Sequence, residues 1–121
     1  MSRLTEREWT VLSALWETDD AELGVLVERL RPGTGWSRNT VLTYLTRMEA
    51  KGLVSIEKQT TPHRYRAALD RAACQAQERH NFLQRVYQGA AGDMITAFLR
   101  DEPISAGERE RLRQLLDEME V

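Results

Sequence analysis

Arg38, Asn39, Thr40, Thr43, Thr46 and Arg47 lie within ten consecutive positions and, at helical spacing, form one face without an acid. Arginine grips phosphate or guanine, asparagine pairs with adenine, and threonine hydroxyls reach either phosphates or base edges. In a chain with 19 acidic and 17 basic residues, a face of this kind is unusual. A second basic group, Lys58, His63, Arg64 and Arg66, follows closely. Both groups suit recognition of a polyanion rather than bond making.

The elements that must hold these side chains are legible around them. Ser37 is a good N-cap, because its hydroxyl can accept from an otherwise unpaired amide of the first turn. Gly52 supplies the left-handed conformation that ends many helices. Between them Val41, Tyr44, Leu45 and Met48 recur at spacings of three and four, which predicts an apolar stripe facing a core. Leu53 to Ile56 and His63 to Arg66 read as paired strands around a Gln59–Pro62 turn. Basic hairpins also serve as solubilising edges, Arg38 could be a solvated helix start, and Arg47 could pair with an acid of the fold. A histidine at a hairpin edge is usually an uncharged surface residue, although His63 could lend pH sensitivity.

Charge is segregated along the chain. Residues 1–28 hold 2 basic and 7 acidic side chains, whereas residues 29–66 hold 8 basic and 2 acidic. Local potential near the phosphates governs nucleic-acid binding, so a net charge of −2 does not exclude it. It argues against indiscriminate coating of nucleic acid.

Upstream, Thr5 and Glu8 have capping-box spacing, and Trp9, Leu12, Leu15 and Trp16 predict a first helix with an aromatic core face. Leu23, Leu26, Val27 and Leu30 predict a short second helix stopped by Pro32, Gly33 and Gly35. Gly24 within it signals either close packing or a weak helix. The second and third helices then stand in helix-turn-helix order. Downstream, Asp70 caps a fourth helix reaching about Gln88, Gly89–Gly92 form a break, Asp93–Arg100 a fifth helix, and Ser105 with Glu108 a second capping box opening a sixth.

The expected fold is therefore mainly α with a small β-hairpin, a winged helix-turn-helix over residues 1–69 followed by a helical region over 70–121. Three helices in some fifty residues make a poor independent core. Their apolar residues, Phe82, Val86, Met94, Ile95, Phe98, Leu99, Leu112, Leu115 and Leu116, are expected to be buried against a second copy, the alternative being a monomer whose tail folds back over the winged helix. A twofold dimer would read a palindrome with half-sites one or more helical turns apart.

Other classes find little support. Cys74 and His80 are six residues apart and would lie on different faces of one helix, and no serine, histidine and acid grouping is visible. Two histidines and one cysteine lack zinc-ligand spacing, so neither a metal nor another cofactor is expected. Gly33-Thr34-Gly35 lacks the lysine of a phosphate-binding loop. One cysteine forms no internal disulfide, and Cys74 is expected to be a small semi-buried residue. No run approaches the roughly eighteen apolar residues of a membrane span, which implies a cytoplasmic protein without membrane insertion.

The chain resembles the penicillinase-repressor (BlaI/MecI) family of bacterial regulators. The resemblance is carried by Leu4-Thr5-Glu6-Arg7-Glu8-Trp9 with Trp16, by Trp36-Ser37 and Thr40-Val41, and by Arg47 with Lys51-Gly52-Leu53. It continues through Tyr65, Asn81-Phe82 and Val86-Tyr87-Gln88-Gly89. It implies a homodimeric, non-enzymatic repressor bound to double-stranded operator DNA and relieved when a membrane sensor protease causes cleavage in the C-terminal region. By position the cleaved bond would be Ala97-Phe98, where the family pattern commonly has asparagine in place of Ala97. Leu42 is a second departure, since relatives often carry a polar or basic residue there. A copper-responsive branch with paired Cys-x-Cys motifs is excluded by the single cysteine. Arg38, Asn39, Thr40, Thr43 and Arg47 are the expected major-groove residues, with Lys58, His63 and Arg64 on the wing. The competing expectation is a winged-helix module that binds protein and does not read DNA.

Overall fold

The computed structural model describes residues 3–119. Its elements are α1 (Glu6–Thr18), β1 (Ala21–Glu22), α2 (Leu23–Thr34), α3 (Arg38–Ala50), β2 (Val54–Glu57), β3 (Arg64–Ala67), α4 (Arg71–Tyr87), α5 (Ala91–Asp101) and α6 (Ala106–Glu118). The mainly helical fold with a small sheet agrees with the sequence reading.

Thr5 opens α1 with a complete capping box: its hydroxyl accepts from the Glu8 amide at 3.1 Å, and its own amide donates to Glu8 Oε1 at 2.9 Å. The core face of α1 is aliphatic rather than aromatic. Val11, Leu12 and Leu15 are fully buried against Leu26 of α2 and Val41, Leu45 and Met48 of α3. Each such side chain contributes about 1.5–3 kcal/mol. Trp9 and Trp16 sit half-buried at the rim, edge to face at 5.9 Å. The indole explains why: an N–H cannot be buried without an acceptor, and Trp16 Nε1 finds one at the Leu69 carbonyl, 2.9 Å away.

Pro32 does not stop α2. The helix continues through Pro32 and Gly33 to Thr34 and ends at Gly35, which has φ +69° and donates its amide to the Arg31 carbonyl. Proline removes one backbone bond near the helix end, where the remaining turn is held by Thr34 Oγ1 donating to the Leu30 carbonyl at 2.7 Å. The link to α3 is therefore only Gly35-Trp36-Ser37. A Cβ on Gly24 would meet nothing within 4 Å, so close packing is not the reason for that glycine.

The sheet has a member that the sequence reading did not contain. Its order is β1-β3-β2, antiparallel throughout, with Ala21 and Ile56 both opposite Tyr65. Tyr65, in the middle strand, is buried.

By packing, the chain forms two compact units, Met1–Glu78 and Arg79–Val121, so the division falls within α4. In the first unit Asp70 Oδ2 accepts from the Ala73 amide at 3.0 Å, Cys74 is buried, and Glu78 pairs with Arg3 at 3.2 Å. In the second unit Gly89, at φ +86°, makes the sharp exit from α4, and α5 begins two residues earlier than the sequence suggests. Ser105 and Glu108 form the expected capping box of α6.

Candidate nucleic-acid interface

The orientation of α3 is fixed from several sides. Val41, Leu45 and Met48 are buried in the core, and Ser37 accepts from the Thr40 amide at 3.2 Å. The Trp36 ring lies against Tyr44 at 4.8 Å between centroids, and Arg7 of α1 donates to the Tyr44 hydroxyl at 3.0 Å. At the other end Lys51 Nζ donates to Glu8 Oε2 at 2.8 Å. These contacts present the opposite face outward: Arg38, Asn39, Leu42, Thr43, Thr46 and Arg47 are all exposed. Thr40 is only half-buried there, with its hydroxyl 3.0 Å from that of Ser37.

The basic residues divide by pairing. Among the described residues Arg38 and Arg47 form no ion pair, so their charge is not neutralised within the chain. Lys58, the first residue of the wing loop after β2, pairs with Glu49 at the end of α3, 3.1 Å away. Arg64 is held more firmly: its Nε donates to Asp20 Oδ2 at 3.1 Å, its NH2 to the Asp20 carbonyl at 2.8 Å, and its NH1 lies 3.5 Å from Glu22. Arg64 thus fastens β1 to the wing. His63 is exposed at the tip. The α3 face and the Lys58–His63 tip remain open to a polyanion, with Lys58 already sharing its charge.

Arg66 is placed differently from its neighbours. It lines a cavity of about 280 Å³ together with Leu15, Trp16, Asp19, Leu69 and Arg71, away from the wing tip. Arg71 lies over the Trp16 ring, 5.8 Å from its centroid.

Glu8 is the residue near this face that sequence reasoning missed in part. Its capping role was legible, but its second oxygen meets Lys51, 43 positions away, and no local pattern signals that pair. Burial opposes ionisation of Glu8, yet hydrogen bonds from Lys51 and from the Thr5 amide, with the lysine charge, outweigh it. The carboxyl is held below its ordinary value. Cys74 moves the other way: burial, and then the nearby Asp70 carboxylate, push its thiol up.

In the second unit no residue of α5 or α6 is buried. Val86, Ile95, Phe98, Leu99, Leu115 and Leu116 are exposed, and Phe82, Met94 and Leu112 are half-buried. Leu99, Ile104, Leu112 and Leu116 line a groove of about 250 Å³ between α5 and α6. Ala97 is half-buried and Phe98 is 57% exposed, both inside α5. Among the described residues no group of three or more histidine, cysteine or acidic side chains could hold a metal ion, and no helix is long and apolar enough to cross a membrane.

A family model described as penicillinase repressor matches residues 4–118. The methicillin resistance regulatory protein MecI of Staphylococcus aureus (strain N315) is 25% identical over 114 residues, covering 94% of this chain and 93% of that protein. The penicillinase repressor of Bacillus licheniformis is 26% identical over 116 residues, covering 96% and 91%. The penicillinase repressor of Staphylococcus aureus is 21% identical over 112 residues, covering 93% and 89%. Matched from the cap of α1 to the end of α6, the chain belongs to the penicillinase repressor family.

Proposed function

We propose that this protein is a transcriptional repressor that binds double-stranded operator DNA as a homodimer. The observation that carries the reading is the exposed, acid-free face of α3, with Arg38 and Arg47 unpaired at either end while Lys58 and Arg64 are matched by acids. A helix presented this way fits a major groove; Arg38 and Arg47 take phosphates or guanine, and Asn39, Thr40 and Thr43 reach base edges. Lys58 and His63 then follow the backbone at the wing. Arg64 holds the wing in shape, its charge offset by the Asp20 and Glu22 carboxylates.

The uncovered apolar faces of α4, α5 and α6 pack against those of a second copy, which sets two α3 helices on a palindrome. Family membership and the relatives' names support control of β-lactam resistance genes. Cleavage of Ala97–Phe98 by the protease of a membrane sensor would cut α5 and remove Phe98, Leu99 and all of α6 from the dimer, which relieves repression. Selection of bound sequences from a random duplex library tests the reading. Enrichment of a twofold-symmetric site supports it, and a pool that stays random contradicts it.

A further inference from the structure

We infer that Leu42 selects thymine, packing against its 5-methyl group in each operator half-site. This rests on the repressor reading above and assigns part of its base specificity.

In the first unit only Val25 and Leu42 are exposed among the large apolar side chains described, and Val25 is on α2. Leu42 is 38% exposed at the centre of the α3 face, one turn from Arg38 and Asn39 on one side and Thr46 on the other. It has no core duty, since Val41, Leu45 and Met48 fill that side of the helix. An apolar side chain amid groups that grip phosphate gains little until it loses its water. In the major groove the apolar group presented by an unmodified base is the thymine methyl. The neighbouring Thr43 meets a base edge only as an acceptor, because it commits its hydroxyl proton to the Asn39 carbonyl at 2.8 Å. The Asn39 amide forms no other bond among the described residues and is free to pair with adenine. Three helical residues advance about 4.5 Å, a span that lets Asn39 and Leu42 reach neighbouring base pairs stacked about 3.4 Å apart.

The test uses the full chain and a site recovered by selection, with each thymine replaced in turn by deoxyuridine, which keeps the pairing edge and lacks only the methyl. At one thymine per half-site the wild type should bind about fourfold more weakly, the effect of one buried methyl. Leu42→Ala and Leu42→Gln should bind thymine and uracil duplexes equally there, and Arg38→Ala should weaken both alike. Because Leu42 is exposed, circular dichroism of the variants should match wild type. Insensitivity to every deoxyuridine, or sensitivity that survives in both Leu42 variants, overturns the inference and leaves the repressor reading standing. Failure of the wild type to prefer any sequence overturns both.

Discussion

Glu8 uses its two oxygens on two elements at once: Oε1 accepts from the Thr5 amide at the start of α1, and Oε2 accepts from Lys51 at the end of α3. The carboxylate is 9% exposed, and it ties the frame helix to the helix that carries the open basic face. The Thr5 cap that Glu8 completes is worth about 0.5–2 kcal/mol by the usual scale of such contacts.

That arrangement makes stability depend on acid in a defined direction. The folded carboxyl titrates below the ordinary value of 4.5 that it regains on unfolding. Its contribution is therefore complete above that value and is lost as pH falls through the folded one. Urea denaturation should show Glu8→Gln less stable than wild type at neutral pH, with the gap closing below the carboxylate range. A gap that does not change with pH would mean that the charge of Glu8 is irrelevant.

Arg64 should behave as a fastener of the sheet. Removing it by Arg64→Ala leaves Asp20 and Glu22 unmatched at a half-exposed site, a small loss of about 1 kcal/mol or less for such pairs. Hydrogen exchange should quicken at Ala21, Glu22 and residues 64–67, with helix amides of α1 and α3 unaffected. Unchanged exchange in the sheet would leave the pairing without structural consequence.

Assembly should depend on the second unit. Phe98 and Leu116, 57% and 58% exposed in one chain, are expected to be covered by a partner. Wild type should sediment as a dimer and Phe98→Glu with Leu116→Glu as a monomer at the same concentration, and the melting of the first unit should be retained. A double variant that remains dimeric would place the interface elsewhere.

Cys74 should be unreactive while the fold holds. Its thiol is buried and pushed up by burial and by Asp70, so a disulfide reagent at mildly alkaline pH should label it only at the rate of local opening. Rapid stoichiometric labelling of native protein would contradict its burial.

Much of the fold was legible because its signals are local. Thr5 with Glu8, Ser37, and Ser105 with Glu108 mark three helix starts within four residues each. The stripe of Val41, Leu45 and Met48 fixes which face of α3 turns outward. What escaped depends on distant partners. The two residues of β1 form a strand only because β3, more than forty positions later, pairs with them. Arg64 and Lys58 look like free cations in the chain, and only the folded state brings Asp20, Glu22 and Glu49 to them. Pro32 was a stop signal that the last turn of α2 overrode. The rim position of Trp16 was set by the Leu69 carbonyl, 53 positions away.

The open face of α3 is proposed to grip DNA. This is tested most directly by fluorescence anisotropy of the protein on duplex from upstream of its own gene, across a range of salt, with Arg38→Ala and Arg47→Ala in parallel. Binding should exceed that to random duplex and weaken steeply with salt. Each substitution should lower affinity and reduce the salt slope by about one for every phosphate no longer neutralised. A folded protein with no preference for that duplex, or one whose affinity and salt slope ignore both arginines, would contradict the account.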